Sequence, residues 1–363
     1  MPVAAHLRAF VPRMRGSLIR AVALLALGMP CARARASAFV DPLDAPAAES
    51  ALADRQLLTA VAVAGHRLVA VGQRGHILLS DDEGHTWSQA RVPVSTDLTA
   101  VHFPTPERGF AVGHAGVILA TSDGGRTWRR QLDGRQLGQL LAARYTPEEQ
   151  DRIAGLREQL AILAAPAADQ SFLDVWFADG RSGFAVGAFN LVLHTDDGGD
   201  HWVPWLDRVE NPLGHHVYAI GAAGGDVYAV GEQGLVRRLA PSGRRFEVVA
   251  VPYRGSLFGL AAWRNGVVAF GMRGTVLVGS DHGRRWLRVA TGTEDAIAGA
   301  AAVPDGRLVL VTQGGLAVAS GTEGSNVVDV TLRPGAPASS AAIVSRRTLI
   351  LVGPGGVRLE DVP

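Results

Sequence analysis

Lysine is absent from this 363-residue chain, and all 35 basic residues are arginine. That reads as a bias of genome composition rather than of chemistry. Cysteine occurs once, at Cys31, so no disulfide framework holds the fold together. There are only four tyrosines, which leaves few candidates for any chemistry that needs a phenol. No apolar run is long enough to cross a bilayer, since the best one covers residues 21–29 only. The formal charge of +1 is misleading, because residues 1–38 hold six arginines and no acid. The remainder has 29 basic and 34 acidic residues, a net of −5, which is not the profile of a nucleic-acid binder.

Residues 1–38 read as an export signal. Arg8, Arg13, Arg15 and Arg20 make a basic leader, residues 21–29 the apolar core, and Ala36-Ser37-Ala38 a small-residue cleavage site. Pro30 directly before Cys31 does not suit a lipid-attachment signal, so the expected product is a cysteine-free periplasmic protein with no membrane span.

What is plentiful is an octet. Ser80-x-Asp82-x-Gly84-x-Thr86-Trp87 returns as Thr121-x-Asp123-x-Gly125-x-Thr127-Trp128 and as Thr195-x-Asp197-x-Gly199-x-His201-Trp202. A worn copy is Gly279-x-Asp281-x-Gly283-x-Arg285-Trp286. Each reads as a tight turn between antiparallel strands, with the carboxylate bonding backbone N–H groups, Gly allowing positive φ, and Trp packing over neighbouring strands. Ahead of each octet lies a second landmark, an apolar strand ending in a turn such as Val71-Gly72-Gln73-Arg74-Gly75. Seven copies of it, ending at Val352-Gly353-Pro354-Gly355-Gly356, are separated by 41, 74, 44, 40, 41 and 41 residues. A period near 41 with several short strands per unit predicts an all-β fold, a seven-bladed β-propeller of four-stranded antiparallel blades over residues 57–363.

The 74-residue step holds about 33 inserted residues between blades two and three, within 133–169. Thr146-Pro147-Glu148-Glu149 is a helix start, and Ile153, Leu156, Leu160 and Leu163 continue one apolar face. Leu137, Leu140 and Leu141 supply a partner helix, so a helical hairpin is expected, either packed as decoration or serving as a docking arm. The last repeat runs out after three strand candidates, so residues 39–56 are expected to supply the strand that closes the ring, against the resistance of Pro42 and Pro46.

In such blades the turns between second and third strands share one face with the blade-to-blade connections, and the octets occupy the other. The first face is expected to carry Arg74, His114, Tyr253, Arg254 and Arg273. Guanidinium forks pair with carboxylates, so these five are the candidate contacts to a protein partner. Other sites read weakly. Asp196-Asp197-x-x-Asp200 lacks calcium-loop spacing, His215-His216 has no third ligand nearby, and Ser256 has no His/Asp context, so no metal, cofactor or catalytic residue is expected.

The octets resemble the Asp-box (BNR) repeats of sialidases and related propellers. Residues 57–360, through 70–87 and Pro252-Tyr253-Arg254-Gly255-Ser256-Leu257-Phe258-Gly259, resemble the photosystem II assembly/stability-factor family and its bacterial relatives; Phe172-Leu173-Asp174-Val175-Trp176-Phe177 is also similar to the bacterial members. The resemblance implies a non-catalytic seven-bladed propeller that binds a protein client, a membrane-protein assembly intermediate, through an arginine patch, with Arg74, Arg254 and Arg273 as the matching positions. Two alternatives stay open: a periplasmic accessory of an envelope transporter, and a sialidase-like glycosidase. The second lacks the early Arg-Ile-Pro motif and has no evident glutamate beside Tyr253.

Overall fold

A computed structural model describes residues 39–164, 170–264, 266–312, 314–320, 329–345 and 348–361. The stretch read as an export signal lies outside the described residues. From Val40 onward, seven antiparallel sheets succeed one another, each with its strands paired in chain order. Blade one is Leu58–Ala64, Arg67–Gly72, Ile77–Ser80 and Ser88–Gln89. Blades two to six repeat that ladder from inner strands Leu98–His102, Phe172–Phe177, Val217–Ala223, Leu257–Trp263 and Ile297–Ala302. Blade seven has three strands, Ser340–Ile343, Thr348–Gly353 and Gly356–Asp361.

The core lies between blades. Second strands such as Arg67–Gly72 are buried along their whole length, as both faces of each sheet are covered by a neighbour. Phe110 of blade two and Phe177 of blade three stack with centroids 3.5 Å apart and planes 4° from parallel. Near the axis, side chains of one blade bond the backbone of the next. Thr59 Oγ1 donates to Leu98 O at 2.7 Å, Thr99 Oγ1 to Phe172 O at 2.8 Å, and Ile220 N to Asp174 Oδ2 at 2.9 Å. Enclosure of the Asp174 carboxylate pushes its pKa up to about 7.

The octets are turns, as their composition requires. Ser80 Oγ bonds Asp82 Oδ1 at 2.8 Å and accepts from Gly84 N at 2.8 Å. Asp82 then accepts from Thr86 N and Thr86 Oγ1 at 2.9 and 2.5 Å, and Trp87 Nε1 donates to Gly84 O at 3.0 Å. The same bonds recur at Asp123 with Trp128, and His201 takes the threonine's place at Asp197. The fourth octet differs. Gly279 has no hydroxyl, Asp281 takes φ 53°, and among the described residues its carboxylate reaches only Arg285 at 4.0 Å, so Trp286 Nε1 on Gly283 O is what survives of the pattern. The Thr86 hydroxyl and N–H, with Ser80, hold the Asp82 carboxyl at about 2. A lowered acid stabilises the fold above its unfolded value near about 3.9 and loses that contribution as pH falls towards the folded value. Asp82→Asn is therefore expected to flatten the pH dependence of unfolding between about pH 4 and 2. An unchanged slope in an acid unfolding series would remove Asp82 from the account.

The arm over residues 39–56 does not close the ring, contrary to the expectation. It holds no strand: residues 42–50 run along the outside of blades one and two, and the short helical turn Ala53–Arg55 packs at Gly356 of blade seven. Ala47 N donates to Val92 O at 3.1 Å, Ser95 N to Pro42 O at 2.8 Å, and Leu43 is buried among side chains of both blades. Proline-rich backbone suits such irregular docking better than a ladder. Closure is by packing instead: Leu58, Leu68, Ala70 and Leu78 of blade one share a core with Ile350 and Val352 of blade seven.

The insertion is three helices rather than a hairpin: α1 (Gly134–Arg144), α2 (Pro147–Arg152) and α3 (Leu156–Leu163). Asp133 and Thr146 close capping boxes with Gln136 and Glu149. The expected long second helix breaks before Gly155, which sits at φ 76° where a Cβ would lie 1.8 Å from Pro212 O. Leu137, Leu141, Tyr145, Leu156 and Leu163 join the core of blades two and three. Asp207 fastens the unit, accepting from Tyr145 OH at 2.8 Å and Arg144 Nη2 at 3.0 Å. Arg135 of α1 in turn forks onto Asp44 of the arm with two bonds of 3.0 Å.

Candidate functional site

The two faces separate as the strand order dictates. The tip turns between second and third strands put one residue into the left-handed region in each of the first five blades: Arg74, Ala115, Phe189, Gln233 and Arg273, at φ 51–56°. Left-handed backbone turns the side chain outward, and the Gly or Asn that follows completes the reversal. In blade two the tip residue is thus Ala115. His114 sits one position earlier, its Nδ1 3.0 Å from Ser171 Oγ and its N–H on Asp97 O at 2.9 Å, so it joins two blades instead of presenting a ring to solvent.

Tyr253 reaches the Arg273 tip turn, with Arg254 next to it in the chain. Tyr253 lies on the connection into blade five and donates its OH to Met272 O at 3.2 Å, next to the Arg273 tip. The connection is fixed from behind, with Gly234 N donating to Gly255 O at 2.8 Å. Sequence reasoning missed a third cation: Arg288, on the outer strand Arg285–Val289, places its guanidinium 5.6 Å from the Tyr253 ring centroid. Its address on an outer strand was legible, but not which side of that strand it takes. Arg254, Arg273 and Arg288 are all exposed. Arg254 and Arg273 make no ion pair among the described residues.

Arg74 is not part of this cluster. It tips blade one, beyond blades six and seven, with its N–H donated to Asp97 Oδ1 at 2.7 Å. Several arginines elsewhere in residues 226–290 are spent locally: Arg238 donates to His282 O at 2.6 Å, Arg245 pairs with Glu247 at 3.2 Å, and Arg264 lies over Trp263, whereas Arg244 and Arg284, beside the octet turns, are exposed with no side-chain partner among the described residues.

Beside the cluster the rim changes character. Glu232 accepts from His216 N at 2.9 Å and Tyr218 OH at 3.3 Å, a Tyr–Glu pair that the sequence reading did not find. Enclosure, then the neighbouring Glu232 charge, raises the Tyr218 phenol, the opposite of what a nucleophile needs. Phe189 packs on His216 at 4.6 Å, and a cavity of about 250 Å³ opens there between α3 and the loop bearing Leu213, which is 78 % exposed. A buried amide chain fixes that wall: Asn211 Nδ2 donates to Asn190 Oδ1 at 3.0 Å, and Asn190 Nδ2 to Gln159 Oε1 at 2.9 Å. No described helix is long and apolar enough to cross a membrane.

Octet turns on one face, outward tips on the other and a ring closed by packing define an Asp-box (BNR-repeat) β-propeller. The model of the family described as photosynthesis system II assembly factor YCF48 matches residues 79–142 and 158–318, and the chain belongs to that family. No curated protein matches it. Among solved structures, a YCF48 bound to a D1 peptide is similar at 15% identity and a TM-score of 0.60, over 85% of this chain and 94% of that one. YCF48 from Cyanidioschyzon merolae is similar at 16% identity and a TM-score of 0.58, over 84% and 95%. The WD40 β-propeller domain of Doa1 is similar at 14% identity and the same TM-score, over 88% and 96%, so the ring itself is widely shared.

Proposed function

We propose that this chain is a non-catalytic assembly or stability factor, exported to the periplasm, whose tip face holds a carboxylate-bearing segment of a protein client. The observation that carries this reading is the set of exposed guanidiniums, Arg254, Arg273 and Arg288, gathered around Tyr253 on a chain whose remainder after residue 38 is net acidic. Exposed forks retain their donors for a bidentate carboxylate, and the rigid connection beneath them means little ordering is lost on binding. Family membership supports the assembly role, and the related YCF48 bound to a D1 peptide supports a peptide segment as the kind of client. Arg74 serves as an outlying contact if the client spans the mouth of the ring.

Pull-down from an envelope extract with the exported chain tests the client's class. The expected partner is an immature membrane-protein subunit; recovery of a mature transporter complex alone would replace the assembly role with that of a transport accessory. A fluorogenic sialoside is expected to remain intact in the presence of the protein. Turnover that disappeared in Tyr218→Phe or Tyr253→Phe would make the chain a glycosidase and reject the binding role.

A further inference from the structure

Blade seven ends on Gly356–Asp361, and among the described residues nothing pairs with the outer side of that strand. The other outer strands block edge pairing in familiar ways. Ser88–Gln89, Arg129–Leu132, Val203–Pro204 and Phe246–Val248 are two to four residues long. Arg285–Val289 carries two exposed like charges, Arg285 and Arg288, and Asp329–Pro334 ends in proline. Gly356–Asp361 has six residues, no proline, and charges of both signs, Arg358 followed by Glu360 and Asp361.

Its register decides what the edge offers. Gly353 lies opposite Gly356 across the two-residue turn Pro354-Gly355, with Leu351 opposite Arg358 and Leu349 opposite Glu360. The pair flanking such a turn exchanges both hydrogen bonds, and the pattern alternates outward from it. Val357, Leu359 and Asp361 therefore point their N–H and C=O groups away from the blade. Arg358 and Glu360 share one face of the strand, 3.8 Å apart, and Leu359 is 39 % exposed. The turn Ala53–Arg55 packs at Gly356, against the hairpin end, where a Cβ would lie 2.0 Å from Asp54 O.

We propose that two copies of this chain pair edge to edge through Gly356–Asp361 about a two-fold axis at Leu359, each supplying the fourth strand the other's blade seven lacks. An antiparallel self-pairing centred on residue 359 sets Arg358 of each copy opposite Glu360 of the other, and 357 opposite 361. Opposite charges face each other twice on one side of the new sheet, while Leu359 meets its own counterpart on the other side. The outward groups of 357, 359 and 361 meet in register, so no backbone donor or acceptor is left over. One-residue shifts in either direction lose the charge match, which fixes the register.

Sedimentation of the exported chain over a concentration series is expected to show the mass doubling, with a two-fold symmetric dimer at the upper end. Arg358→Glu alone and Glu360→Arg alone place like charges opposite each other and are expected to sediment as single chains. Mixed in equal amounts they form opposite-sign pairs at both positions, and the dimer mass is expected to return. Leu359→Pro deletes an outward N–H without touching the hairpin ladder and is expected to be a single chain; it also decides the matter if Arg358→Glu, which gives up bonds to Ala336 O and Pro337 O, fails to fold. A wild-type chain that keeps the single-chain mass throughout, a dimer that survives Leu359→Pro, or folded variants that do not reassociate on mixing would each overturn the proposal. So would finding the edge occupied by an extended segment of a different protein.

Discussion

Replacing Arg254 and Arg273 together by glutamate is expected to weaken client capture roughly a hundredfold, each reversal contributing about 1.4 kcal/mol. Both side chains are exposed and unpaired among the described residues, so reversal removes attraction and adds repulsion without disturbing a packed core. The residual binding should also lose much of its salt dependence, since the screened charge pairs are gone. Arg126→Glu is the control. Arg126 donates to Asp123 O at 3.0 Å on the octet face, is exposed, and should leave capture unchanged. Arg288→Glu is expected to show an intermediate loss through its position over Tyr253. Equal weakening by the Arg126 and Arg254/Arg273 variants would point to diffuse charge instead of a site.

Phe177→Ala is expected to destabilise the protein by about 3–5 kcal/mol, the usual cost of deleting a buried aromatic whose cavity cannot collapse. Phe177 is fully enclosed, stacks on Phe110, and meets the Trp202 ring edge-on at 5.9 Å, so it joins two blades and an octet. Gly183 lies against the same ring, where a Cβ would come within 2.3 Å, and backbone this close does not move in to fill a void. Denaturant unfolding followed by tryptophan fluorescence measures the loss. A midpoint shift as small as that of a surface substitution would mean the blade interface is not where the fold's stability resides.

The blades were legible because all seven repeats carry one landmark and four of them carry a second at a fixed spacing from it. Asp82 with Thr86 and Gly72 with Gly75 are local devices, and local devices leave marks in sequence. The arm and the insertion show the other side. Residues 39–56 are held by scattered bonds such as Ser50 N to Gln89 Oε1 at 3.1 Å, which impose no periodicity. The helical face through Ile153, Leu156, Leu160 and Leu163 continued across Gly155, yet the carbonyl of Pro212, 57 residues along the chain, occupies the space a side chain there would need. Long-range contacts of that kind decide where an element stops without changing its pattern.

Tyr253, Arg254 and Arg273 could be assigned to one face from the sequence because tip turns and blade connections share that face by topology. Arg288 escaped, since its approach to Tyr253 depends on how an outer strand twists. Arg74 was grouped with the others on face alone, and only the ring order shows that blades six and seven intervene. His114 was placed at a tip because the landmark was read one residue early; Ala115, with φ 54°, holds that position.

The tip face, and not the octet face, is expected to meet the client. A photo-crosslinking residue at Gln233, exposed beside the arginine cluster, and another at His85, exposed on the octet face, separate the two in one experiment in envelope membranes. The account predicts a discrete crosslinked species from position 233 that the Arg254/Arg273 reversal removes, and none from position 85. A product from position 85, or one from 233 indifferent to the reversal, would contradict it.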